Sequence, residues 1–353
     1  MGDRGWSKMR YRRFQGYDYA KGGAMFVTTA LADRRTRLFG RVEREKVVLS
    51  REGEVAVRDF REACEKFRGR IRIHRWTLMP DHFHARLSWS AGLDEPVKTI
   101  GAFMGRFKQM SQWHLAGRGT PIWEPGYHDL ICLSARMNRA VDAYVENNAL
   151  KWWLMHCDKS LLRVCEPFPM PEFGDDEVWR AVGNEGLLAS SKIVALRISR
   201  QVPAAHIADV VETCRRGAVE KGYVYASTFY SPGERAVFEA LALTARAKMI
   251  RLIPTFMELA YRPHGEETRL FAAKRLLVLS RMHDPEEPPR RGELLDLNAR
   301  CVRLAQASAG GKAVYVKMVG GEVRYITPSP QGAGDQVVGA AGDQVVGVAG
   351  GGV

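Results

Sequence analysis

Ile71-Arg-Ile-His-Arg-Trp-Thr-Leu-Met79-Pro80-Asp81-His82-Phe83-His84-Ala85-Arg86-Leu-Ser-Trp89 is the stretch on which the fold of this chain turns. Two runs rich in apolar and aromatic residues meet at Pro80-Asp81, a pattern that predicts two strands joined at a tight break. Residues i and i+2 of a strand share a face. His82 and His84 are therefore expected side by side, with Phe83 and Ala85 turned into the opposite layer. Two neutral imidazoles so placed can chelate one divalent cation. Two ordinary histidines near a strand end would read the same way, so a partner elsewhere has to decide.

The run from Asn138 to His156 predicts a helix, with Val141, Tyr144, Val145, Asn148 and Trp152 recurring at three- and four-residue spacing. Tyr144 and Asn148 stand one turn apart, so a phenol and an amide project from one face. An asparagine among core-facing positions calls for a hydrogen-bond partner or a metal. Tyr144 by itself also fits a core tyrosine with a satisfied hydroxyl. A second phenol, Tyr127, lies beside His128 and Asp129 and competes for the same role.

These motifs are part of a longer match. Tyr11 to Met155 resembles the REP-associated tyrosine transposases, single-tyrosine members of the HUH endonuclease superfamily. The resemblance rests on Gly16-Tyr17-Asp18-Tyr19, the strand Ala24 to Thr29, Leu38-Phe39-Gly40 and Leu49-Ser50 with Gly53. It continues through Leu78 to His84, Ile122-Trp123-Glu124-Pro125-Gly126-Tyr127-His128-Asp129 and Tyr144-Val145-Glu146-Asn147-Asn148. It implies an α+β, ferredoxin-like HUH nuclease domain with an antiparallel sheet. His82 and His84 would hold Mg²⁺ or Mn²⁺, with Asn148 helping to complete the site. Tyr144 would be the nucleophile that cleaves and rejoins single-stranded, hairpin-containing DNA through a 5′-phosphotyrosine. Asp81 stands where the family usually carries Asn, and could ligate the metal or orient a histidine ring. His128 and Asp129 would shape the site or contact DNA. An alternative is a non-cleaving DNA-binding regulator on the same fold, and the chain that completes the site could be a monomer or one half of a homodimer.

Charge is distributed unevenly. Residues 1–160 carry 29 Lys and Arg against 18 Asp and Glu, while the remainder carries 24 against 22. The excess belongs to the half with the histidine pair and suits a polyanionic partner, without conferring sequence preference. Arg10, Arg12 and Arg13, with Trp6 and Tyr11 nearby, and Arg34 and Arg35 form basic clusters that suit unstacked bases. Arg106 and Lys108 flank a possible second DNA surface. For any one cluster a solvated face is the plainer reading.

The start of the chain has no signal-peptide pattern, and no apolar run reaches membrane-spanning length. A cytoplasmic, nucleoid-associated protein is expected. The six cysteines contain no C-x-x-C pair, so neither a zinc knuckle nor a disulfide framework is indicated.

Residues 161–182, with their prolines and acidic run, are expected as a linker between a domain over 1–160 and another over 183–327. In the latter, apolar strands at Lys192–Ile198, Tyr223–Ser227, Ala247–Pro254 and Arg275–Ser280 alternate with helices at Ala204–Gly222, Pro232–Thr244 and Arg291–Ala307, predicting a Rossmann-like α/β parallel sheet. The half resembles the Rossmann-like domain of the DprA family, through Gly183-Asn184 with Leu187-Leu188, Ile198-Ser199-Arg200, Ser227 with Ser231-Pro232-Gly233-Glu234, Leu277 to Ser280, and Arg291 with Asn298. Ser199, Arg200, Ser231 and Glu234 are its candidate ligands for a nucleotide or DNA. Ile198 stands where the family has glycine. No G-x-G-x-x-G fingerprint is present, which argues against a dinucleotide dehydrogenase. Residues 328–353, with Ala-Gly-Asp-Gln-Val-Val-Gly at 333–339 and again at 341–347, are expected to be disordered.

Overall fold

The computed structural model describes residues 17–174, 178–281, 290–327 and 336–338. The chain divides into two compact units, Met1–Cys157 and Asp158–Val353.

The first unit follows the order β1 (Gly23–Ala30), β2 (Gly40–Glu43), β3 (Lys46–Leu49), α1 (Arg51–Lys66), β4 (Arg72–Leu78), β5 (His82–Trp89), α2 (Pro96–Ala116), β6 (His128–Ile131), α3 (Ala135–Glu146) and α4 (Asn148–His156). Its main sheet is wholly antiparallel, in the order β4-β5-β1-β6, and β2 and β3 form a separate hairpin. Helices α1 and α2 cover one face. Met25, Val27, Phe83, Ala85 and Leu87 from the strands meet Phe60, Phe103 and Phe107 there. The other face carries α3, seated on a small cluster of Cys132, Val141 and Val145 beside Ala24 and Phe26. Two-residue alternation thus separates a large apolar core from a smaller, mixed surface.

The run 138–156 is two helices rather than one. Asn147 ends α3 and begins α4 with φ −92° and ψ 4°, outside helical values. The bend lets α4 leave the sheet and pack Ala149, Trp152 and Trp153 against Val42, Val47 and Met79. Burying those indoles outweighs straight-helix continuity.

The second unit contains β7 (Val164–Phe168), β8 (Trp179–Gly183), β9 (Ile193–Ile198), α5 (Ala204–Glu220), β10 (Val224–Ser227), α6 (Pro232–Leu243), β11 (Lys248–Ile253), α7 (Glu267–Ala272), β12 (Leu276–Arg281), α8 (Arg291–Ala307), β13 (Lys312–Val319), β14 (Glu322–Thr327) and β15 (Gln336–Val338). They form one mixed sheet in the order β15-β14-β13-β9-β10-β11-β12-β8-β7. The five central strands, β13 to β12 in that order, are parallel, and the outer pairs are antiparallel. Continuous burial along β9, β10 and β12 reflects cover on both faces.

The expected linker over 161–182 is corrected. Its residues supply β7 and most of β8, and Trp179 is fully buried among Phe173, Arg281 and Arg300. Pro167 disguises β7 in the sequence, but an outermost strand tolerates a residue that cannot donate to the ladder. The expectation of disorder from 328 onward is corrected at one place, Gln336–Val338, which pairs with β14. The rest of that segment lies outside the described residues.

Candidate functional site

Register on the first unit's smaller surface assembles the site. Across the sheet, Thr77, His84, Thr28 and His128 lie in one row, and Arg86, Phe26 and Leu130 in the next. His82 pairs with Ala30 at the strand entrance, just after the Pro80-Asp81 break, where the Met79 amide donates to the His82 carbonyl at 2.8 Å. The two imidazole rings lie 4.6 Å apart.

Each ring is held through Nδ1. His82 Nδ1 is 2.6 Å from Asp81 Oδ1, and His84 Nδ1 is 2.7 Å from Thr28 Oγ1. Burial would raise the Asp81 carboxyl, but the hydrogen bond and charge of His82 and the charge of Arg34 outweigh it and keep Asp81 below its ordinary value. Burial drives His84 well below an ordinary histidine, with His82 and Arg34 acting the same way. A neutral, oriented imidazole presenting Nε2 is the form a metal takes, with a carboxylate or hydroxyl behind it fixing the ring. Among the described residues no group of three or more His, Cys, Asp and Glu side chains is placed to hold a metal. Two adjacent imidazoles are donors of the kind a divalent cation takes, and the buried Asn148 side chain lies at Tyr144.

Tyr144 comes from the last turn of α3. Its ring stands edge-on to Phe26 at 5.8 Å and lies 5.4 Å from His84, both in the same chain. The residue remains 37% exposed. Burial raises the phenol above its ordinary value, and a hydrogen bond with the Asn148 side chain opposes that rise. The Lys151 ammonium lies 5.7 Å from the ring centroid. Tyr144 and Asn148 remain adjacent although they belong to different helices.

The remaining candidates separate. Tyr127 packs against the main core, on the opposite layer from Tyr144. His128 lies on the same row as His84, with Nε2 3.8 Å from Glu124 Oε1, whereas Asp129 pairs with Val27 on the core-facing register. Lys108 is turned inward: its ammonium donates to the carbonyls of Glu124 and Gly126, and burial lowers it against the pull of Glu124. Arg106 bridges α2 to α1 through Glu62 at 2.8 Å. Arg35 is paired with Asp33, while Arg34 is exposed. Arg10, Arg12 and Arg13 lie outside the described residues.

Thr28, Phe26 and Glu124 also belong to this surface; they lie within the strand 24–29 and the run 122–129, but nothing local in either marks them as site residues. Alternation along β1 shows that Phe26 and Thr28 share a face, but only register brings them beneath Tyr144 and beside His84.

In the second unit, Ser199 and Arg200 follow β9, and Arg200 approaches the Tyr230 ring at 5.9 Å. Ser231 caps α6 and accepts from the Glu234 amide at 3.2 Å. Glu234 is buried and accepts from the amides of Ile198, Tyr230 and Ser231 and the Thr228 hydroxyl. Its carboxylate is occupied in tying the ends of β9 and β10 together. Gly233 is required there, since a Cβ would stand 2.7 Å from Ile198 Cγ2.

No protein-family model and no curated protein matches the chain. Among solved structures, a REP-associated tyrosine transposase bound to a REP hairpin is similar at 22% identity and TM-score 0.32, covering 40% of this chain and 73% of that one. A candidate transposase of Deinococcus radiodurans is similar at 16% identity and TM-score 0.26, over 38% of this chain and 96% of that one. DNA processing protein A from Helicobacter pylori is similar at 16% identity and TM-score 0.31, over 46% and 85% respectively.

Proposed function

We propose that the first unit is a ferredoxin-like HUH nuclease domain that cleaves and rejoins single-stranded DNA through Tyr144. The observation that carries this reading is the placement of the Tyr144 ring 5.4 Å from His84, whose own Nδ1 is anchored by Thr28. His82, His84 and Asn148 would hold Mg²⁺ or Mn²⁺, which polarises a phosphate and stabilises charge on the leaving oxygen.

The protein's part in the step is to deliver an ionised phenol to phosphorus. Tyr144 loses its proton, its oxygen bonds to phosphorus, and the bond from phosphorus to the 3′ oxygen breaks. The products are a 5′-phosphotyrosine and, once that oxygen takes up a proton, a 3′-hydroxyl. Asn148 steadies the phenol oxygen and opposes the effect of burial. Phe26 supports the ring from below and restricts its approach. Attack in the reverse direction by a 3′-hydroxyl rejoins a strand without other energy input. For the second unit we propose a Rossmann-like, DprA-like module whose β9 and β10 ends, with Ser199 and Arg200, contact a nucleotide or DNA.

The test is incubation of the purified chain with labelled hairpin DNA and Mg²⁺ or Mn²⁺, followed by denaturing gels. A covalent adduct that requires metal and is lost in Tyr144→Phe is expected. Binding without cleavage across a varied hairpin panel would favour a regulator and sink the nuclease reading.

A further inference from the structure

Helix α3 carries the proposed nucleophile but has little apolar hold on the sheet. Its buried residues are Val141 and Val145, which join Cys132 in a small cluster well apart from the main core. What else holds it is polar. Arg86, on β5 two residues beyond His84 and on the same face, is only 8% exposed. Its Nε and Nη2 donate to Asp142 Oδ1 and Oδ2 at 2.6 and 2.7 Å, a fork-to-fork pair, and Nη1 reaches Asn138 Oδ1 at 3.4 Å. Asn138 and Asp142 are one turn apart, so one guanidinium grips two successive turns of α3. Arg75 of β4 adds a more exposed bond to Glu146 at 2.5 Å.

The location of this pair distinguishes it from ordinary surface pairing. Arg86 lies in the sheet row of Phe26, the residue beneath Tyr144, and Asp142 precedes Tyr144 by two positions. A guanidinium paired in two places to a carboxylate fixes direction as well as distance. The helix cannot roll or slide on the sheet without breaking both bonds.

We propose that Arg86 and Asp142 are positioning residues that lock the Tyr144 helix over the imidazole pair of its own chain. This rests on Tyr144 being the nucleophile, but the lock itself is a statement about α3 and can be tested without DNA. Released from the pair, α3 would lose its fixed angle while β1 and β5, held by the main core, keep the histidines in place.

The experiment compares wild type with Asp142→Asn and with the double variant Arg86→Met/Asp142→Leu, which removes the pair without leaving a buried cation unpaired. Hydrogen exchange on the full chain is read first. Amides of 135–146 should exchange at least about tenfold faster in both variants, with those of β1 and β5 unchanged. In the cleavage assay kcat should fall about tenfold to a hundredfold with KM for the hairpin within about twofold, because placement of the attacking oxygen is lost and DNA binding is not. Arg86→Lys, which keeps the charge but not the fork, should fall between wild type and the double variant. Unchanged exchange in α3 in the double variant would overturn the lock. Faster exchange with unchanged kcat would overturn its role in positioning. If wild type never cleaves, the exchange result still decides the lock, and the nuclease reading alone fails. Should Asp142→Asn not fold, the double variant carries both measurements.

Discussion

One hydroxyl orients the more deeply buried of the two imidazoles. Thr28 lies 56 positions from His84 in the chain, yet its Oγ1 sits 2.7 Å from Nδ1. Thr28→Val keeps the shape and removes the bond, so the ring loses its preferred tautomer and direction. Mn²⁺ affinity, measured by calorimetric titration, should drop about 10- to 100-fold; an unchanged affinity would exclude Thr28 from the site's function. The same burial makes the metal-free protein sensitive to acid. His84 binds its proton well below the ordinary 6.5 when folded, so below that pH the unfolded chain takes up a proton that the folded one refuses. Stability is therefore complete above 6.5 and declines as pH falls below it. Thermal denaturation in a chelator should show the midpoint falling over this acid range, with a shallower fall in His84→Gln.

Among the elements, the strand β6 and the loop before it show how charge can mislead. Lys108 counts toward the basic balance of the first 160 residues, but its ammonium is spent on the carbonyls of Glu124 and Gly126, which fixes the approach to His128. Arg34 is exposed and close enough to affect the charge state of Asp81 and His84. DNA affinity measured across a salt series should keep its slope in Lys108→Ala, whereas Arg34→Ala should reduce it by about one counterion. The reverse result would make Lys108 the phosphate contact. The α3–α4 break has a comparable lesson. The three- and four-residue spacing is present across the whole run, but tryptophans at 152 and 153 have their own place to pack, and the helix turns to reach it.

At the scale of the molecule, each unit owns a separate apolar core, one centred on Phe60, Phe83 and Phe107 and the other on Trp179, Ile250 and Leu279. Trp179 is fully buried in a stretch that looks like a linker in sequence. Trp179→Ala should destabilise the second unit by about 3–5 kcal/mol. Calorimetry should show one unfolding transition shifting while the other stays in place; a joint shift would mean that the two cores do not unfold independently. No helix among the described residues is long and apolar enough to cross a membrane.

The features legible in the order of residues alone are local. The two strands around Pro80-Asp81, the shared face of His82 and His84, the one-turn spacing of Tyr144 and Asn148, and the alternation of strands and helices after residue 192 all follow from backbone periods of two and about 3.6 residues. Which distant faces meet follows from packing of the folded chain. Strand register set Thr28 beside His84, and packing put the Tyr144 ring next to His84 while sending Tyr127 to the core. Burial turned Glu234 and Lys108 from candidate ligands into internal ties, and sheet pairing drew residues 164–168 and 179–183 out of an apparent linker. Those outcomes depend on free energies summed over contacts far apart in the chain, which no local period contains.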